Sequence, residues 1–340
     1  DRELAPLRGR RFLPAELDAF EALPRRHGEL GNAPCRLRVR EGNKVSLCNM
    51  SDVCPQDLSI DPDSVHNDCS YVLAVRHALQ IIGTLRPLPD CDLMVSSDNQ
   101  DRHETSVPVF TRIRPREPRG RYMLLPMEWQ LHPWQMRKHI IPIERTGARL
   151  DWQDRIPSLI WRGSNSNCLP SCSIAKAARG ETSWASCLET YDCNATWTWS
   201  NWQQMPRGRL VFLSQFVESI DARWTGLSQA MEPSLWEFFD DHNLTAERLS
   251  LTEQLKWRYA LNVDGTGVCD RIYWQLLGGS TVLAQEGPLI SWLVGPVGSS
   301  HAEAALRPFE HYVPVRYDLS DLVERLSWLQ ANEDEAARIA

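Results

Sequence analysis

No apolar run in this chain approaches the ~20 residues that cross a bilayer as a helix, so any membrane attachment would have to come from a segment outside it. There is no long basic run, and the formal net charge is -7. Together these exclude a general nucleic-acid binder, which needs clustered lysine and arginine. No internal repeat and no low-complexity tract occurs. The opening "DRELAPLRGRR" has no initiator Met and no signal-like apolar region, so a targeting segment is expected to lie outside these residues. Neither a complete dinucleotide fingerprint nor a Walker A loop is present. Paired Cys-x-x-Cys spacing is also missing. Cys168-x-x-x-Cys172 comes nearest and has no second half nearby, which argues against a structural zinc.

Cysteine itself is abundant. There are 10 in 340 residues, and all but Cys269 precede residue 200. Cys35, Cys48, Cys54, Cys69, Cys91, Cys168, Cys172, Cys187 and Cys193 lie mostly in loop-like surroundings, which fits disulfides formed in an oxidising compartment. Cys269 is the cysteine least expected to be a staple. The sequons Asn49-Met-Ser51, Asn194-Ala-Thr196 and Asn243-Leu-Thr245 agree with a secreted or lumenal glycoprotein. At 24% charged and 42% hydrophobic residues the chain is globular, and its length exceeds one small core.

The first sixty residues read as irregular and cysteine-bearing, with a short helix near "PAELDAFEAL". Helical spacing of apolar residues predicts a helix over 69–85, stopped by "PLPD". "DLMVSS" reads as a buried strand over 92–97, "VPVFTRI" as another, and 114–121 as a loop. A second unit starts near 155. Its expected elements are the strand "SLIW", a stapled insertion over 164–203, and helices around 208–218 and 251–258. "YALNV" follows as a strand, then a helix in "CDRIYWQLLGG", the strands "STVLAQ" and "HYVPV", and a helical end. Strand and helix alternate from 158 onward, which implies a parallel sheet with right-handed crossovers. The economical architecture is α/β: two Rossmann-like domains, 1–155 and 156–340, facing a cleft, with disulfide-stapled irregular segments. The final helix is free to pack back on the first domain.

In such a domain ligands sit at the carboxyl ends of the strands. "DGTGVCDR" takes that place after "YALNV". Gly265 and Gly267 permit close backbone approach there, and Arg271, about one turn into the next helix, can pair with a diphosphate through a bidentate fork. A plain strand-to-helix turn with a surface arginine would look the same. "IWRGSNSN" repeats the arrangement one unit earlier, where Ser164 beside Gly163 can reach a second phosphate oxygen. The rival reading is a helix-capping turn, with Arg162 as an internal salt-bridge partner. In "VSSDNQDRHE", Asp98 at the end of the first-domain strand can serve as a general base. Asp101, His103 and Glu104 are rivals, and a turn aspartate is the bland alternative. Asp61-Pro-Asp63 reads as a helix start. Asp90-Cys-Asp92 precedes its strand, which argues against a metal clamp on a nucleotide. Most tryptophans belong to the core, but Trp129 and Trp134, in the loop-like "LPMEWQLHPWQM", are candidates for a sugar platform.

"LSLTEQLKWRYALNVDGTG", "DRIYWQLLGGSTVLAQEGP" and "HYVPVRYDLSDLVERLSWLQANEDEAARIA" carry a family resemblance. "LIWRGS", "RGRLVFLSQ", "DARWTG" and "LPDCDLMVSSDNQ" follow in the same order. They resemble the family of Rumi-type protein O-glucosyltransferases and fungal capsule-associated xylosyltransferases, glycosyltransferase family 90. The first sixty residues and 165–203 lie outside the match.

The resemblance implies a GT-B-like fold and inverting transfer from UDP-glucose or UDP-xylose to a protein or polysaccharide hydroxyl. It implies no metal, no cofactor and no nucleic-acid partner. The setting would be the Golgi or endoplasmic reticulum lumen, with any membrane anchor outside these residues. Donor contacts fall on Arg162, Gly163, Ser164, Asp264, Gly265, Thr266, Gly267, Val268, Cys269, Asp270, Arg271 and Glu286, and the catalytic base on Asp98. There are two departures. The Rumi branch carries a donor-contacting arginine six positions after the serine, where this chain has Pro170. Asp98 is followed by Asn-Gln instead of Tyr-Pro. Other classes stay open: a UDP-sugar or glycan-binding module without catalysis, and a metal-dependent GT-A-like transferase using Asp90 and Asp92.

Overall fold

The segment "CRLRVR" alternates apolar and basic residues, the pattern of a strand with one buried face. In a computed structural model it is β1 (Cys35–Arg40), paired antiparallel with β2 (Lys44–Cys48). The structure describes residues 35–48, 68–96, 107–116, 122–131, 133–168, 192–293 and 306–340. Glu41 and Gly42, at φ of 52° and 78°, make the tight turn between β1 and β2. This hairpin corrects the reading of the first sixty residues as irregular throughout. The helix expected near residues 14–23 lies outside the described residues.

The chain divides into two units: residues up to Lys138 with a return from Leu289, and His139–Pro288 with Leu306–Ala340. In the first unit the sheet order is β2-β1-β3-β4-β6. It adds β3 (Cys91–Ser96), β4 (Val109–Thr111) and β6 (Tyr122–Leu124), parallel to one another, while β1 runs antiparallel to β3. β5 (Ile113–Pro115) pairs antiparallel with β11 (Leu289–Ser291), so the loop expected over 114–121 begins in a strand. Leu37, Val39 and Val95 pack on Tyr71, Val72 and Val75 of the helix Asp68–Leu85. "LPMEWQLHPWQM" is not a loop. It contributes to the helices Glu128–Leu131 and Pro133–Gly147, with His132 outside the described residues.

The sheet of the second unit is parallel throughout, in the order β12-β10-β9-β7-β8. Its strands are β7 (Ile156–Ser164), β8 (Ile220–Gly226), β9 (Trp257–Asn262), β10 (Thr281–Glu286) and β12 (Val313–Arg316). Leu159, Ile160 and Trp161 on β7, and Val282, Leu283 and Ala284 on β10, are buried without alternation, as strands covered on both faces must be. Counted in chain order the strands lie 2-1-3-4-5, a doubly wound order whose reversal falls between β7 and β9.

Helices Pro206–Leu213, Pro233–Asp241 and Leu322–Ala331 supply apolar faces to one core. Trp224 sits at its centre, edge-on to Trp161 at 5.5 Å and to Trp197 at 5.4 Å. The helix Pro233–Asp241 was not anticipated. The helix expected over 251–258 is four residues long, Leu251–Gln254, capped by Ser250, and strand begins at Trp257. The helical end breaks at Asn332. The last helix, Glu333–Ile339, packs on its own unit, with Ala336 and Ile339 in that core and the Ala336 carbonyl accepting from Thr281 at 2.7 Å.

Candidate active site: a cationic loop at the strand switch point

Two loops meet where the strand order reverses, one after β7 and one after β9. Between them lies Arg207, which sequence reasoning did not single out. It enters from the first turn of the helix Pro206–Leu213 and is buried, 6% exposed. Its Nη1 donates to Ser164 O at 3.1 Å, Nη2 to Val263 O at 3.2 Å and Nε to Asp264 O at 3.0 Å. Its guanidinium also stands 5.8 Å over the Trp161 ring. Burial pulls its pKa down to about 10, but Arg207 keeps its charge at neutral pH. Arg271 is the nearby cation. Its Nη1 donates to the Arg162 carbonyl near the end of β7. No ion pair holds Arg207 or Arg271 among the described residues.

Side chains around these arginines fill the space a Cβ would need at Gly163 and Gly265. A Cβ on Gly163 would lie 2.5 Å from the Trp161 ring and 3.2 Å from Arg271 Nη2. A Cβ on Gly265 would lie 2.9 Å from Arg207 Nη2 and 3.0 Å from Ser166 Oγ. Gly163 makes room first for the Trp161 ring, and Gly265 for Arg207 and Ser166.

The expected helix position of Arg271 also needs correcting. The helix is Ile272–Leu277, and Arg271 is its N-cap, not a residue one turn inside. Arg162 resolves as the salt-bridge partner: its guanidinium binds Asp221 on β8, Nη2 to Oδ2 at 2.8 Å, and only its carbonyl belongs to the site. Asp264 is loop architecture. It is 5% exposed, its Oδ1 accepts from Cys269 N–H at 2.9 Å and its N–H donates to Gln285 Oε1 at 2.8 Å. Cys269 is a buried thiol; burial raises its pKa against the opposing pull of Arg271 and Arg207. The Ser164 hydroxyl and the N–H groups of Gly267 and Val268 have no partner among the described residues and border the same loop. Thr266 and Val268 are half-buried, and Asp270 is exposed. Glu286 ends β10, one strand further from the switch point.

In the first unit, β3 ends at Ser96, so Asp98 follows it closely in sequence. Asp98, Asp101, His103, Glu104, Asp61 and Asp63 lie outside the described residues, as do the side chains of Trp129 and Trp134. Asp90 and Asp92 do not form a metal clamp. Asp92 is bound by Arg36, by Arg40 at 2.9 Å and by Arg38 at 3.4 Å. Asp90 Oδ1 accepts from Glu41 N–H at 2.8 Å. No group of three His, Cys, Asp or Glu is placed to hold a metal among the described residues. Cys168 bonds Cys193, which removes it from any zinc reading. Asn194 and Asn243 are exposed, and Asn49 lies outside the described residues. No described helix is long and apolar enough to cross a membrane.

In a doubly wound domain the switch point is where ligands bind, and arginine side chains there can pair with phosphate oxygens. Comparison with known proteins narrows the class. The model of glycosyl transferase family 90 matches residues 121–340, well over half of the chain. The chain belongs to glycosyl transferase family 90. It is 39% identical over 95 residues to protein O-glucosyltransferase 3 of Rattus norvegicus, covering 28% of this chain and 17% of that protein. To protein O-glucosyltransferase 2 of Danio rerio it is 30% identical over 119 residues, 34% of this chain and 22% of that protein. An uncharacterized protein, 179R, of Invertebrate iridescent virus 6 matches at 25% over 197 residues, 56% of this chain and 15% of that protein. The matched stretches thus span less than a quarter of these relatives' own lengths.

Proposed function

We propose that the second unit binds the diphosphate of a UDP-sugar at the switch point, and that the chain transfers the sugar, glucose or xylose, to an acceptor hydroxyl with inversion. The observation that carries this reading is a pair of guanidiniums, Arg207 and Arg271, that have no ion pair among the described residues and bind carbonyls at the ends of β7 and β9. Arg271 has one hydrogen-bond partner among the described residues, so its other donors can serve phosphate oxygens. Ser164 and the Gly267 and Val268 amides supply neutral donors beside it. Arg207 acts differently: its donors are spent on carbonyls, so it fixes the loop and adds positive field in a low-dielectric setting.

The reaction would run as a single displacement. Asp98 takes the proton of the acceptor hydroxyl as that oxygen attacks the anomeric carbon. The bond to the β-phosphate breaks on the opposite face, and UDP leaves. Positive charge fixed beside the departing phosphate stabilises the transition state where charge develops. Arginine charge can fill the role a metal has elsewhere, so EDTA is expected to leave activity intact. The acceptor is a hydroxyl on a protein, as the relatives' names suggest, or on a polysaccharide. The Cys168–Cys193 bridge supports an oxidising, lumenal setting.

Calorimetry with UDP and the Arg271→Ala protein tests the donor site, and release of free sugar from UDP-glucose or UDP-xylose tests the chemistry. A folded wild type that binds neither UDP nor UDP-sugar would remove the reading.

A further inference from the structure

The rim of the candidate donor loop carries a covalent bond that the proposed reaction does not use. Cys168, fully buried, is bonded to Cys193, 25 residues on. Its Sγ lies 3.9 Å from Gly265 O and 3.7 Å from Thr266 O. A bonded sulfur has no hydrogen to donate, so these are packing contacts against the loop backbone. Cys168 is not part of the apolar core of its unit.

A polar network surrounds the bridge. Asn167 Nδ2 donates to Asp264 O at 3.1 Å, and its Oδ1 accepts from the Arg207 N–H at 3.3 Å. The Asn167 N–H donates to Gln229 Oε1 at 2.8 Å, and Gln229 Nε2 donates to the Cys193 carbonyl. Asn165 Oδ1 accepts from the N–H groups of Ser228 at 2.6 Å and Gln229 at 3.1 Å. Residues 165–168, 228–229 and the chain around Cys193 therefore form one tied rim. The loop 264–266 and the backbone of Arg207 hang from it.

We propose that the Cys168–Cys193 bridge is a positioning element of the donor loop. It holds residues 165–168 against the 264–266 carbonyls, and through Asn167 it sets the start of the helix that carries Arg207. Donor affinity then depends on the bridge, while the fold, whose core lies elsewhere, does not. This rests on the donor-site reading given above. Most of the rim's hydrogen bonds join residues distant in sequence, so with the bridge open they alone must hold two long excursions in register, and part of the binding free energy goes into ordering them.

The test compares UDP affinity of the oxidised wild type with that of Cys168→Ala/Cys193→Ala, since alanine adds no polar atom at the buried position. The expected result is a UDP Kd raised roughly tenfold or more, equal to about 1.4 kcal/mol. Donor KM should rise in parallel, with kcat at saturating donor within about twofold of wild type. Dithiothreitol should do the same to the wild type: the dithiol closes to its cyclic disulfide and passes two electrons and two protons to the sulfurs. Reoxidation should restore affinity. A folded double variant with unchanged UDP affinity overturns the proposal. So does a double variant that no longer unfolds cooperatively, because the bridge would then staple the whole unit. A wild type that fails to bind UDP overturns the proposal together with the donor-site reading.

Discussion

Arg207 Nη1 donates to the Ser164 carbonyl across 3.1 Å, although the two residues are 43 positions apart in the chain. This contact ties the end of β7 to a helix that begins only after the insertion. The same guanidinium binds the Val263 and Asp264 carbonyls, so one buried cation spans both sides of the switch point. Arg207→Met roughly keeps the volume and takes a donor from three carbonyls, of which Asp264 O retains Asn167 Nδ2. The expected cost is about 2–5 kcal/mol, seen as a lower melting temperature, with UDP affinity falling as well. Arg207→Lys should restore charge but not the fork, and so recover only part of either loss. Unchanged melting and UDP binding in Arg207→Met would refute this assignment.

Arg271 contributes to binding more than to folding, because its one protein partner among the described residues is the Arg162 carbonyl. Arg271→Ala should leave thermal stability nearly unchanged and weaken UDP binding by ~1.5–3 kcal/mol, the worth of a charge-assisted contact. Lysine should rescue in part. Calorimetry on the folded variant decides it, and an unaltered affinity would remove Arg271 from the site.

The strand-end loop was legible in the sequence because its signals are local: an apolar run, Asp-Gly, a second glycine and an arginine. The parallel sheet followed from alternating elements, and its buried strands from continuous apolar runs such as "TVLAQ". Arg207 was not legible. It lies 43 positions after Ser164, past the insertion, and its partners, the Ser164, Val263 and Asp264 carbonyls, come together only in the folded unit. Arg162 and Asp264 matched motif positions, yet their side chains turn to Asp221 and to the loop backbone. Only neighbours brought by tertiary structure show that. The β1–β2 hairpin was missed although its alternation is a strand signal; what makes three arginines tolerable on one short strand, their carboxylate partner Asp92, lies far along the chain.

Asp92 makes the first unit acid-sensitive. Burial alone would raise its carboxyl, but the hydrogen bond and charge of Arg36, then those of Arg40, hold it below the ordinary value. The unfolded chain therefore binds the proton first as pH falls. The stabilisation is fully present above about pH 4 and is lost as pH falls through the depressed folded value. Urea midpoints of wild type and Asp92→Asn should differ near pH 5 and converge at the acid end. A difference constant with pH would sink this account.

Cys269 should resist alkylation. Its thiol is buried, and burial raises its pKa more than Arg271 and Arg207 lower it, so little thiolate is present at neutral pH. Mass spectrometry after iodoacetamide treatment should find it modified only once the protein is unfolded. Rapid modification in the native state would mean that the loop opens or that the thiol is ionised.

The base is the most separable part of the proposed chemistry, because the diphosphate contacts all lie in the second unit. Asp98 follows β3, which ends at Ser96, and the proposed reaction gives it the acceptor's proton. Asp98→Asn keeps the shape of the side chain and removes its proton acceptor. UDP binding should survive, while sugar transfer falls by ~10²–10⁴-fold, the usual contribution of a general base. Asp101→Asn should do much less, because three further residues carry it beyond the strand end. Each variant needs two measurements, calorimetry with UDP and initial rates at saturating donor. Loss of both in Asp98→Asn would indicate a disturbed fold and leave transfer by Asp101→Asn as the deciding rate. If Asp101→Asn loses transfer while Asp98→Asn keeps it, the base is Asp101. If both transfer normally, the proton goes to a group elsewhere, and the second unit's arginines remain as the tested half of the site.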